Sequence, residues 1–143
     1  MASQRGGLAR WVPLLLRLLL GGLLMAHGAQ KLFGALGGPG VSGVAAYFQQ
    51  LGIAPAVVWA WVVSMLEFFG GAAILIGLLT RVACGLMVID MAVAILKAHW
   101  AFGFDASKGG YELALSFGVV ALVLVILGPG PLAIDRAIGV EKR

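Results

Sequence analysis

The chain has 143 residues, 62% of them hydrophobic and only 11% charged, with a mean hydropathy of +1.05. Soluble domains carry about 25% charged residues, so a water-soluble globular fold is excluded and an integral membrane protein is described. The net charge of +4 is spread over scattered lysines and arginines, which read as topology signals and not as a nucleic-acid surface.

Four apolar segments are expected to span the lipid bilayer, at residues 11–36, 55–79, 82–99 and 111–128 of a single domain, 1–143. Most reach or approach the ~20 residues that cross a bilayer core. Alternation of period two is missing, which argues against a transmembrane barrel, and a spanning chain must then satisfy its backbone within helices. The expected fold is all-α, a transmembrane four-helix bundle with a short interfacial helix in its first loop.

The first segment follows Arg5 and Arg10 and could pass for a secretory signal, with "AHG" at 26–28 as a cleavage site. Arg17 interrupts its apolar run, and helix-compatible residues continue through Phe33, so a retained first helix is the better reading. The loop "GALGGPGVSGVAAYFQQLGIAP" is long. Its residues 42–51 carry a capping serine, then Tyr47, Phe48 and Leu51, as a short helix in the outer interface would. The tight connection "LLTRVA" makes the second and third segments an antiparallel hairpin. Cys84 is the only cysteine, which rules out an intrachain disulfide or redox pair and suits a packing role. "GPGPLAIDRAIG" closes the fourth segment and is expected to bring Asp135 and Arg136 to the cytoplasmic surface.

Four spans put both termini on one side, with Arg5, Arg10, Arg81, Arg136, Lys142 and Arg143; Lys31, Lys97 and Lys108 fall on the other. The positive-inside rule then predicts cytoplasmic termini.

The ionisable residues fall in two layers. At about 1.5 Å of rise per residue, Arg17 lies about 9 Å inside the cytoplasmic edge, Asp90 about 14 Å and Glu67 about 18 Å. Charges at such depth cost ~2.5–3.5 kcal/mol each on insertion scales and usually face a partner or a wet cavity. Arg17, Glu67 and Asp90 are therefore expected to form one buried polar network, with Arg17 reaching a carboxylate. One cation cannot balance two acids, so a proton held by one carboxyl is also expected. Gly21 and Gly28 on the first helix and Gly70 and Gly71 on the second share stripes with these charges, as close helix packing requires.

His27, Lys31, His99, Tyr111 and Glu112 form the outer layer. They suit interfacial hydrogen bonding or contact with a head group, a small anion or a quinone carbonyl. No HxxxH or ExxH spacing supports a metal site.

Arg17 with "GGLLMAHGAQKLFG", then "LGIAP", "EFFGGAAILIGLLTR", "MAVAILKAHW", "GGYELAL" and a closing "GPGPLAID" resembles the DoxX family, in order and over nearly the whole chain. The resemblance implies a four-helix protein of the bacterial inner membrane. Family members include the membrane subunit of thiosulfate:quinone oxidoreductase, and others are similar to a partner of superoxide dismutase and a sulfurtransferase in membrane complexes. The function so implied is a membrane subunit or anchor of a quinone-, thiol- or sulfur-linked oxidoreductase concerned with oxidative stress. Quinone is the implied cofactor, and a soluble or membrane oxidoreductase the implied partner. The chain itself offers no self-contained catalytic motif. A non-enzymatic scaffold is the alternative, and a small-solute carrier a weaker one, since four helices are few unless the protein forms a homo-oligomer.

The charge distribution generates a labelling test. A cysteine placed at Gly40 should react with a membrane-impermeant thiol reagent added from the periplasm, and one at Gly139 should not. The reverse pattern would invert the topology.

Overall fold

A computed structural model describes residues 2–141, with side chains from residue 6 onward. Lys142, Arg143 and the side chain of Arg5, all used in the charge count, lie outside the described residues. Among the described residues the fold is helical throughout: α1 (Ala2–Ala9), α2 (Val12–Phe33), α3 (Gly40–Gln50), α4 (Ala56–Ile76), α5 (Thr80–Ala94), α6 (Glu112–Leu127) and α7 (Ile134–Ala137). A π-helical turn, Ile95–His99, and a 3-10 turn, Trp100–Phe102, extend α5.

Among the described residues, three helical stretches are long and apolar enough to cross a membrane: Gly6–Phe33, Ala56–Ile76 and Thr80–Phe102. At 21 residues α4 is about 31 Å long, matching a hydrocarbon core of ~30 Å. With 16 residues α6 is apolar but shorter, about 24 Å. It packs along α5, as α2 packs along α4, and α3 lies on α4 and α2. Leu20, Leu24, Ile74, Met87, Phe117 and Leu124 fill the centre, with the buried Cys84 among them. Large apolar side chains such as Leu15, Ile89 and Ile126 point outward, where lipid is their solvent.

The α2–α4 contact is made backbone to backbone. A Cβ on Gly21 would lie 2.7 Å from the Leu75 nitrogen, and one on Gly71 would lie 2.7 Å from the Met25 nitrogen. Only glycine permits that separation. Gly77 ends α4 in the left-handed conformation at φ 73, the usual glycine cap.

One residue lies elsewhere than its sequence suggested. Asp135, expected at the cytoplasmic surface, is 2% exposed. Its carboxylate accepts from the Leu79 and Thr80 nitrogens at 2.6 and 2.8 Å, and so caps α5 from the far end of the chain. Orphan amides at a helix start need acceptors, and Leu79 has no capping side chain of its own. The Asp135 nitrogen also donates to the Gly77 oxygen at 2.9 Å, locking the turn between α4 and α5. Beyond it Glu141 meets Arg81 at 2.7 Å, and this hydrogen bond holds the Glu141 carboxyl below its ordinary range. Arg81 also donates to the Val125 and Ile126 carbonyls at the end of α6.

Asp135→Ala should therefore lower stability by roughly 1–3 kcal/mol, the cost of a lost cap with buried donors left open. Thermal unfolding in detergent reads it; an unchanged midpoint would show the cap to be dispensable.

Candidate functional site

Arg17 is 1% exposed, yet Glu67 and Asp90 are not its partners. Its Nε donates to the Ile74 oxygen at 3.0 Å, and Nη2 to Leu75 and Leu132 at 3.0 and 3.2 Å. Nη1 donates to Pro129 and Pro131 at 2.8 and 3.0 Å. All five acceptors are backbone carbonyls, and they match the five N–H groups of a guanidinium. The expected carboxylate contact is thus replaced by a carbonyl cradle, for a physical reason. Ile74 and Leu75 lie in the last turn of α4, where carbonyls lack the i+4 amide of a continuing helix and the helix dipole is negative. Along the backbone the Ile74 oxygen meets only the Gly77 nitrogen, at 3.2 Å. Glu67 lies seven residues earlier, about 10 Å along the same helix.

Glu67 has a different cation. Lys31 Nζ lies 2.5 Å from Glu67 Oε1, the lysine side chain 30% exposed and the glutamate's 4%. Glycine again sets the geometry. A Cβ on Gly28 would fall 2.5 Å from the Phe68 Cα, so α2 lies against α4 one turn before Lys31 and one residue after Glu67. Glu67 Oε2 is buried with no hydrogen-bond partner, and so is Asp90 Oδ2. The two carboxyls are neighbours, and Asp90 also feels the charge of Lys31.

Two cavities meet at this pair. The smaller, about 250 Å³, is lined by His27, Lys31, Glu67, His99, Leu113 and Phe117 among others. The larger, about 360 Å³, lies under α3, with Val44, Tyr47, Phe48, Val63, Asp90 and Lys97 on its walls. Lys31, Glu67, Ala94 and His99 line both. His27 meets the Phe117 ring edge-on at 5.6 Å. His99 Nδ1 lies 2.8 Å from the Gly109 oxygen. That oxygen only accepts, so Nδ1 carries a proton and Nε2 of the neutral ring is free to accept.

Two residues of the outer layer lie outside both cavities. Tyr111 stacks on Trp100 at 5.5 Å and meets Phe104 edge-on at 5.7 Å. Glu112 Oε1 accepts from the Ala106 nitrogen at 3.0 Å and is committed to its own loop. Conversely, Gln30 and Tyr47 line the larger cavity and were not singled out as contacts. Gln30 stood beside Lys31 in "AQK", and Tyr47 belonged to the aromatic pair on the loop helix; both were visible signals.

Long apolar helices with lipid-facing flanks, closed around buried charges, define a helical membrane protein. The DoxX family model matches residues 12–100, and the chain belongs to the DoxX family. That stretch contains Arg17, His27, Lys31, Glu67, Asp90 and His99, and ends before Tyr111 and Glu112. The chain is also similar to a Mycobacterium tuberculosis protein, "Uncharacterized membrane protein Rv3486", at 33% identity over 132 residues, covering 85% of this chain and 77% of the relative. No solved structure matches.

The carbonyl cradle can be tested by Arg17→Lys. An ammonium has three donors, so at least two of the five bonds are lost at about 1.5–3 kcal/mol each. The variant should melt well below the parent protein in detergent. Unchanged stability would show that the charge alone suffices and the fork geometry does not matter.

Proposed function

We propose that the protein is a membrane subunit of an inner-membrane redox complex, with cytoplasmic termini, and that its smaller cavity receives a quinone-type ring. The observation that carries this reading is the placement of Lys31, His27, His99 and Glu67 on a chamber of about 250 Å³ whose other walls are apolar. A quinone ring is flat and apolar with a carbonyl acceptor at each end. Ligand pockets commonly measure ~300–1,000 Å³, so this chamber suits a ring whose tail leaves between the helices.

The residues fit such a ring. Lys31 gives one of its three donors to Glu67 and keeps others for a carbonyl. The free Nε2 of His99 suits a hydroxyl on the reduced ring. Leu24, Leu113 and Phe117 supply apolar walls and exclude water. A bound quinone would supply two-electron, two-proton chemistry. With a single cysteine the chain has no thiol pair of its own, so electrons come from a partner: an oxidoreductase acting on thiol or reduced-sulfur substrates.

The scaffold reading has one observation in its favour. Arg17, the most deeply buried cation among the described residues, has its donors taken up by backbone carbonyls, as a purely structural residue would.

A short-chain quinone titrated into the protein in bilayers separates the two. His27→Ala and His99→Ala should each weaken binding about tenfold, the equivalent of one hydrogen bond near 1.4 kcal/mol, with thermal stability near that of the parent. Leu113→Trp, which fills the chamber, should abolish binding. If the parent protein binds no quinone, or Leu113→Trp binds it equally well, the scaffold reading stands.

A further inference from the structure

Glu67 is 3% exposed, and its two oxygens have different fates. Oε1 is held by Lys31 at 2.5 Å; Oε2 is buried without a partner. Asp90 Oδ2, on the neighbouring helix, is likewise buried without a partner. Buried polar atoms normally have one, and each exception calls for a physical account. With both acids ionised, Lys31, Glu67 and Asp90 together carry a net charge of −1, at a depth where uncompensated charge is costly. With both protonated, the group carries +1. Only a single proton makes it neutral.

We propose that Glu67 and Asp90 form a proton-binding pair, sharing one exchangeable proton between Glu67 Oε2 and Asp90 Oδ2 with Lys31 as counter-charge. That proton accounts for both orphan oxygens at once, since the protonated carboxyl donates and the ionised one accepts. It belongs to the pair and not to either residue.

The other charged and titratable groups around the pair leave this count intact. Arg17 is bound by carbonyls in the last turn of α4. Lys97, on the wall of the larger cavity, is exposed and solvated. Tyr47 donates its hydroxyl to the Ala98 oxygen at 3.3 Å. His99 is engaged by Gly109, and His27 packs on Phe117.

Position gives the proton a use. Glu67 lines both cavities, whereas Asp90 lines only the larger. A ligand oxygen in the smaller cavity can take the proton from Glu67: the carboxyl O–H bond breaks, the ligand O–H bond forms, and the pair is left doubly ionised. A proton from water entering the larger cavity then restores neutrality through Asp90. The pair is a proton-loading site between two chambers, and it stands on the two carboxyls and the lysine whatever ligand the smaller chamber takes.

Infrared spectroscopy of the intact protein in lipid bilayers near neutral pH, with no quinone added, reads the proton directly. The parent protein should show one protonated-carboxyl C=O band per chain, shifting in D2O. Glu67→Gln and Asp90→Asn, both close to isosteric, should each lose it, because Lys31 then balances the remaining acid. Lys31→Met should double it, because neutrality then needs two protons. A parent protein without the band, or a band kept by either isosteric variant, would overturn the proposal. Should Lys31→Met fail to fold, the two isosteric variants decide alone. Because the sample holds no quinone, failure here is distinct from failure of the quinone reading.

Discussion

The close approach of α2 and α4 is the constraint from which both charged sites follow. Gly21 and Gly71 let the two backbones meet at one level, and Gly28 lets α2 meet Phe68 one level further on. With the antiparallel register so set, the ends of the contact are determined. Arg17, one turn before Gly21, arrives at the last carbonyls of α4. Lys31, one turn beyond Gly28, arrives at Glu67. A side chain at any of these glycines would push the helices apart and loosen the charges at both ends together.

The two cations are satisfied by opposite means, and each means suits its side chain. A guanidinium is planar, with five donors in a fixed fork, and a ring of carbonyl oxygens can take all of them. An ammonium is a compact charge on a flexible stem, better matched by one short contact to a carboxylate. Arg17 therefore serves as a pin, tying α2 to the end of α4 and to the proline-rich segment that follows α6. Lys31, 30% exposed and bordering two cavities, keeps donors to spare. The buried charge that looks most conspicuous in the sequence is spent on backbone carbonyls, and the one at the rim borders both cavities.

How much of this was legible depended on where the signal lay. Apolar length and composition announced a helical membrane protein, and the ordered motifs announced the family. Helical counting assigned depths to Arg17, Glu67 and Asp90, but depth along a helix does not name a partner. Carbonyl oxygens occur at every residue, so a carbonyl cradle leaves no mark in a side-chain pattern, and a carboxylate was expected instead. Asp135 was hidden in the same way: its partners are the Leu79 and Thr80 amides, 56 and 55 positions away in sequence. Glu112 presented the opposite case. It looked like a site acid at the outer rim, but a first-turn acid beside a tight loop finds the amides of that loop first, here Ala106.

The π-helical turn at Ile95–His99 explains why the end of α5 belongs to the site at all. In an α-helix the fifth residue onward is rotated by about 140° from the first, at 100° per residue, so Ala94 and His99 would face apart. A π turn bonds each residue to the fifth along and brings these positions onto one face. Both then line both cavities. The wider turn also carries the chain into the loop that returns through Gly109, whose oxygen holds His99 Nδ1. Local widening of one helix thus delivers a histidine, already fixed in tautomer, to the junction where Lys31 and Glu67 divide the two chambers.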